Sequence, residues 1–457
     1  MRELTQSMLS YTWSGPLFLF QQIVNSVTPS DSNGAGVKVS RAYDNVARVT
    51  QEQLAELFQV AFHAGDDIQR DMVDLGFRLF GPESWTPSGL ARTAADITAR
   101  VSDGLRYFDP VEGGLAAWRE VGNKVRIYRL VKDVKSKLQV PSVRFSLEEF
   151  VSRAYDLGPF PALWAVEGLG HDYAATFKPF DDNTAGILTD PILEAVLAKS
   201  MTMLHAGIGL AFAEELLKGM DPSSSSDRVR HMLSLFIRLC RENSRPGYEG
   251  CALESLGLVT RTWHPGMMTS VNDQLMAIDE AAAAYFWRGA GRALYFLPVN
   301  WVPGYGSIMN AIRMSRRDSP HELARRNTLA GIAWASTVVN MQQPSIMEAF
   351  LSQHGEELLG QDAFGNGVAS SIIMRQDTTP GEPFIKQFIE HQPSGTDKRM
   401  EEAWEVHVRT PGRKALDEFY PVLCDKERLG EVFRYQSLSE LVAGLRFSKP
   451  VEVRATA

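Results

Sequence analysis

VEGLGHDYA begins at Val166, HAGIGLAFA at His205, YEGCALESL at Tyr248, WRGAGRALYF at Trp287, LAGIAWAST at Leu329 and FGNGVASSI at Phe364. The first glycines of these stretches are Gly168, Gly207, Gly250, Gly289, Gly331 and Gly365, spaced 39, 43, 39, 42 and 34 residues apart. Two residues further on stands Gly170, Gly209, Ala252, Gly291, Ala333 or Gly367, always glycine or alanine among apolar helix formers. A glycine inside a helix costs on the order of 1 kcal/mol relative to alanine. Six such sites therefore need a compensating reason, and the simplest is close backbone approach between stacked helices. A period of about 40 residues is that of a two-helix unit, which buries its apolar face only by stacking on the next. The expected fold is all-α: an α/α helical-repeat array, solenoid or closed toroid, of about six ~40-residue units over residues 145–375.

Around this core the chain divides by its breakers. Residues 1–110 read as an N-terminal helical region, interrupted from Pro29 to Gly36 and at Gly81, Pro82 and Pro87. Its clearest helix is Gln51–Phe80, where Leu54, Leu57, Phe58, Ala61, Phe62 and Ile68 share one face. That face packs on the core, a partner protein or, as a peripheral contact, a membrane surface. Residues 111–144 read as a linker or helix, and 376–457 as a C-terminal helical cap with helices near Lys414–Tyr420 and Ser437–Leu445. Turn compositions fall at Asp221–Ser226, Ser244–Gly247, Pro298–Gly306 and Gln342–Pro344, and linkers at Asp377–Pro383 and from His391.

Composition bounds the function classes. With 457 residues, 44% hydrophobic and 22% charged, the chain has globular values and enough length for two or three domains or one array. A net charge of −8 supplies no basic field for phosphates, so nucleic acid is not an expected partner. Cys240, Cys251 and Cys424 make neither a zinc spacing nor a disulfide framework, which suits a reducing compartment. The apolar stretch Trp13–Val27 is broken by Gln21, Gln22 and Asn25, and no segment has the roughly 18 apolar residues of a spanning helix. The expected location is cytoplasmic.

If the glycine helices share an orientation, the positions one before and three or four after each first glycine lie on a common face. They hold Glu167, His171 and Asp172 in the first unit, Glu249 and Glu254 in the third, and Arg288 and Arg292 in the fourth. Elsewhere they are mainly apolar. Ionisable groups among Trp164, Tyr173, Tyr248, Trp287 and Trp334 have the composition of a ligand cavity. There a half-buried acid protonates an apolar substrate, and aromatic faces stabilise the resulting cation. Asp172 or Glu254 is the expected acid, with Glu167, Glu249 and His171 as further catalytic candidates. Arg288 and Arg292 then hold an anionic head group or orient the acid. The competing reading makes the same residues buried Glu–Arg pairs that only fix helix stacking.

No cofactor motif is present. The G-x-G strings lack the preceding strand of a dinucleotide fingerprint, and there is no G-x-S-x-G elbow, Walker loop or H-E-x-x-H. Asp181 and Asp182 in FDDNTAG read as an acidic turn. Asp66, Asp67 and Asp71, with Asn272, Met276 and Glu280, resemble the two metal motifs of class I terpene synthases. In that family these positions hold Mg²⁺ and a diphosphate. A thioether at Met276 does not replace the oxygen ligand that Mg²⁺ requires, so Mg²⁺ enters only under that alternative.

VEGLGHDYA, YEGCALESLGL, WRGAGRALYF and LAGIAWAST together resemble an uncharacterised bacterial family encoded near enediyne-type natural-product clusters. That family shows serial EG-A-x-A-L, G-x-G-x-x-L and G-R-x-L-W-F strings. The likeness covers roughly residues 145–375. It implies bacterial specialised metabolism and an apolar small-molecule context, and carries over no catalytic residue. The leading expectation is a protein that binds, and cyclises or isomerises, an apolar polyenyl or terpenoid-like molecule in a helical cavity by acid and cation chemistry. The alternative is a non-catalytic repeat scaffold for protein partners such as a second biosynthetic enzyme.

Overall fold

The computed structural model describes residues 112–447 apart from 298–299, 301–306 and 395–397. Among them are helices and turns and no strand, so the described part of the protein is all-α. The 1–110 region, with Gln51–Phe80 and the Asp66, Asp67 and Asp71 motif, lies outside the described residues. The 111–144 segment is a helix, α1 (Glu112–Leu138), and α2 (Leu147–Tyr155) follows it, capped by Ser146.

Each glycine-marked stretch is a helix: α3 (Pro159–Ala175), α4 (Met201–Leu217), α6 (Glu249–Trp263), α8 (Glu280–Phe296), α10 (Glu322–Asn340) and α12 (Asp362–Thr378). Between them lie α5 (Ser226–Glu242), α7 (Met268–Ile278), α9 (Ser307–Asp318) and α11 (Pro344–Leu358). The two sets differ in the way their sequences dictate. In α8 every residue from Ala282 to Tyr295 is buried, and in α10 every residue from Asn327 to Asn340, because apolar and small residues occupy all faces. In α5 only Val229, Met232, Leu233, Phe236, Ile237, Leu239 and Cys240 are buried, and Asp227, Arg230 and Arg241 face out. The glycine helices are thus the interior, and each packs on the next in chain order.

The glycines are where those interior helices touch. A Cβ on Gly207 would collide with the Glu167 carbonyl of the preceding helix, and one on Gly209 with Ala252 of the following helix. Gly289 and Gly291 repeat this arrangement against Glu254 and Thr328, and Gly331 against Arg288. Only a residue without a side chain permits this approach.

The C-terminal part begins later than its composition implies. α12 runs through Asp377 to Thr378, so the expected linker at Asp377 is still helix, and the 375 boundary falls inside that helix. After α13 (Pro383–Ile389), α14 starts at Lys398–Trp404 and continues through Thr410–Lys414 to Tyr420–Asp425. Two π turns, Glu405–Arg409 and Ala415–Phe419, widen α14 just before Pro411 and Pro421. Proline has no N–H to donate, and its ring crowds the carbonyl four residues back, here on His407 and Asp417; the wider turn relieves both. A 3₁₀ turn, Leu429–Phe433, precedes α15 (Leu438–Phe447) and lies on α6, where the Gly430 amide donates to the Gly247 carbonyl at 2.7 Å. Gly247 has φ +80°, open to glycine and strained for a side chain. No described helix is long and apolar enough to cross a membrane.

Candidate functional site

Five of the expected site residues meet at the centre of the glycine helices, four charged side chains and Trp334. Glu254 of α6 accepts a hydrogen bond from Arg288 Nη1 of α8 at 2.7 Å. Glu167 of α3 accepts two from Arg292 Nη2, also on α8, at 2.6 and 2.8 Å. Arg292 Nη1 stands 3.6 Å from the second oxygen of Glu254, which links the two pairs into one network. Glu254 and Arg288 are 0% exposed, and Glu167 and Arg292 no more than 4%.

The rest of the shell is aromatic. Both guanidinium carbons lie over the Trp334 ring, Arg288 at 5.3 Å and Arg292 at 5.0 Å, and Phe433 covers Arg288 at 5.1 Å. Arg288 Nη2 donates to Ser370 Oγ of α12 at 3.1 Å. Two carboxylates and two guanidiniums cancel in charge, the arrangement a dry interior tolerates. Burial pulls Arg288 below its ordinary pKa against the pull of Glu254. On Arg292 burial acts the same way, but Glu167 and Glu254 outweigh it and the pKa is raised.

The other expected residues go elsewhere. Asp172 pairs with Lys135 Nζ of α1 at 2.8 Å, and beside it His171 Nε2 contacts Glu214 at 2.9 Å. Burial disfavours the His171 imidazolium, yet Asp172 and Glu214 together lift its pKa to about 9. Trp287 turns away from the centre and donates Nε1 to Asn272 Oδ1 at 2.7 Å. Tyr173 packs edge-on to Phe145 and Phe177, Trp164 to Phe296, and Tyr248 stacks on His205. Glu249, half-buried on the first turn of α6, stays outside the network.

The register of α6 explains why Glu254 is inside and Glu249 is not. In α4, α8 and α10 the first glycine faces the preceding helix, but in α6 that place belongs to Ser255, whose Oγ donates to the Ala206 carbonyl of α4, and the second place to Gly257, which faces Phe286 of α8. Counting from Gly250 is therefore five residues out of phase, and five residues turn a helix by roughly 140° beyond a full turn; counted from Ser255, Glu254 takes the same place as Glu167 and Arg288, one residue before.

The stripe Asn272, Met276, Glu280 does not form on one helix. α7 ends at Ile278, Asp279 is extended, and Glu280 opens α8. Asn272 Oδ1 is occupied by Trp287 and His321, the latter at 3.0 Å. Among the described residues no group of three His, Cys, Asp or Glu side chains is placed to hold a metal. Asp181 caps its own turn, accepting from the Asn183 amide at 2.8 Å, and Asp182 pairs with Arg238, so the acidic-turn reading holds.

Three contributors were not singled out in the sequence. Ser370 and Phe433 complete the centre, and Asp377 is buried near the end of α12. Ser370 and Asp377 stand seven residues apart, a two-turn spacing that marks one helical stripe once α12 is known to reach Thr378. Beside α8, a recess of about 10 Å³ lined by Arg261, Met268, Trp287, Leu294, Asp318 and Thr328 has room for a single water. In comparisons with known proteins, no family model, curated protein or solved structure matches this chain.

Proposed function

We propose that this protein is a non-catalytic helical-repeat scaffold, its six glycine-marked units closed into an α/α ring around the Glu167–Glu254–Arg288–Arg292 centre. It serves a protein partner in bacterial specialised metabolism. The observation that carries this reading is that all four charged groups are buried and directed at one another. A proton donor or head-group clamp must reach a ligand, and these groups reach each other, Ser370 and the Trp334 and Phe433 rings. Ring closure is supported by the return of α12 to the first two units: Arg375 Nη1 donates to the Pro159 carbonyl of α3 at 3.2 Å, and Thr202 of α4 donates to Asp377 at 3.0 Å. Buried ion pairs of this kind fix how helices stack. The resemblance to the family near enediyne-type clusters supplies the metabolic setting.

The test is Glu167→Gln and Glu254→Gln, each followed by thermal melting and by incubation with polyprenyl diphosphates with and without Mg²⁺. A scaffold predicts no turnover by the wild type and a lower melting temperature for both variants, because the amide leaves a buried guanidinium without its countercharge. Turnover by the wild type that Glu254→Gln abolishes, with melting unchanged, would replace the scaffold by an acid-catalysed cyclase or isomerase of apolar polyenyl substrates.

A further inference from the structure

Gly122 of α1 differs from the glycines of the interior helices. A methyl group on Gly207 or Gly289 would strike a neighbouring backbone, whereas one on Gly122 would meet nothing within 4 Å among the described residues. Gly122 lies well inside α1, which is 27 residues long, where glycine is the costliest residue after proline. No contact within the described chain offsets that cost.

The residues that flank it on the same side are cationic. Arg119 stands three residues before it and Arg126 four residues after, the spacings that put side chains on one helix face. Both are exposed, and among the described residues neither pairs with a carboxylate. Other exposed arginines do: Arg241 meets Asp279, Arg325 meets Glu322, Arg399 meets Glu356 and Arg413 meets Glu390. Glu120, the acid next to Arg119, turns inward, where it accepts from Ser307 and stands 3.6 Å from the buried Lys124 ammonium. Arg126 is also held in place. Its guanidinium carbon lies 4.3 Å from the centroid of the Phe160 ring of α3, and that of Arg375 lies 5.2 Å from the same ring. A guanidinium laid on a ring keeps its N–H edge free to fork onto a carboxylate.

We propose that Arg119, Gly122 and Arg126 form the docking surface for an acidic helix of a partner protein: the glycine lets the partner's backbone come close, and the two arginines take carboxylates on either side of it. This surface presupposes the scaffold reading and gives the partner its chemistry. Seven residues of helix separate the arginines by about 10 Å, so two carboxylates seven residues apart on the partner helix face them. Gly207 and Gly289 permit the same close approach between helices inside the protein. Charge selects the partner, since the chain as a whole carries −8 and this face of α1 is positive. A notch between two arginines fits a rod such as a helix, and a flat lipid surface would leave it unfilled.

Fluorescence anisotropy with the full chain tests the surface. The probe is a labelled alanine-rich helical peptide with two glutamates seven residues apart and a glycine between them; its control carries glutamines in their place. The glutamate peptide should bind roughly tenfold more tightly than the control, and added salt should weaken it. Arg119→Gln or Arg126→Gln should weaken it about tenfold, and Arg399→Gln should leave it unchanged. Gly122→Leu should weaken it as much while keeping the melting temperature of the chain at or above that of the wild type, because leucine is the better helix former and enters open space. Equal affinity for the two peptides overturns the proposal. So does a Gly122→Leu variant that melts below the wild type, since the glycine then serves internal packing. Binding to phosphatidylcholine vesicles containing phosphatidylglycerol, abolished by Arg126→Gln and without peptide binding, would put a membrane in place of the partner helix and overturn it too. Turnover of polyprenyl diphosphates would sink the scaffold reading, whereas failure of peptide binding alone would sink only this surface.

Discussion

The centre of the glycine helices and the last turns of α12 both bury charge, and they handle it in opposite ways. At the centre Arg288 and Arg292 are matched by Glu254 and Glu167, so the cluster is neutral as a unit. On α12 Arg375 and Asp377 are separate: Arg375 bonds carbonyls and lies over Phe160 and Phe384 at 5.2 and 5.8 Å, and Asp377 bonds hydroxyls. Burial pulls Arg375 down to about 9 and lifts Asp377 to about 7, toward the neutral form in each case. A low-dielectric interior thus keeps ions that neutralise one another and pushes isolated ones to change protonation. The first arrangement keeps its charges, and the second moves both groups toward their neutral forms.

The sharpest way to break the contrast is to remove one partner from the matched set. Arg288→Met leaves Glu254 buried opposite a thioether and should cost about 3–5 kcal/mol, measured by denaturant unfolding. Adding Glu254→Leu should recover a large part of that loss, since the replacement pair carries no charge. A double variant no more stable than Arg288→Met would show that the two charges do not act as a pair.

Gly289→Ala tests the same joint through its backbone. The new methyl meets the Glu254 carbonyl, so α6 and α8 must separate and the Arg288–Glu254 bond must lengthen. We expect a loss of about 1–3 kcal/mol. In a double-mutant cycle with Arg288→Met the two losses should add to less than their sum, and strict additivity would separate the glycine contact from the ion pair.

Arg375→Met carries the smallest expected effect, about 1 kcal/mol. Its carbonyl partners sit in helices with their own hydrogen-bond donors, and no carboxylate is left exposed to the interior. A loss as large as that of Arg288→Met would mean that Arg375 has a countercharge too, and the distinction between the two regions would fall.

Much of the interior was legible because helix period and glycine sterics are local properties. Gly207, Gly209, Gly289, Gly291 and Gly331 announce close contact, since nothing else offsets the cost of glycine in a helix, and each sits against a neighbouring backbone. The acidic turn at Asp181 is equally local. Asp377 was hidden by its surroundings: Thr-Thr-Pro-Gly after it has the composition of a linker, yet the helix persists to Thr378 because Ile372, Ile373 and Met374 are buried against neighbouring elements. Asn272, Met276 and Glu280 failed in the other direction. Their four-residue spacing is that of one helix, but Asp279 serves as the N-cap of α8 and ends the stripe.

The sequence by itself determined that the protein is all-α, which helices are interior, and at which glycines they approach, since these follow from residue size and a 3.6-residue period. It also put Glu167, Glu254, Arg288 and Arg292 on one expected face, together with His171, Asp172 and Glu249, which lie elsewhere. Only the tertiary structure decided which charge meets which. The rotation of each helix about its axis is set by packing against both neighbours, and in α6 it puts Ser255 and Gly257, not Gly250 and Ala252, where the other helices put their glycine pairs, which brings Glu254 inward and leaves Glu249 outside. The same holds for Ser370, Phe433 and Asp377, whose partners lie 82, 145 and 175 residues away and share no local pattern with them.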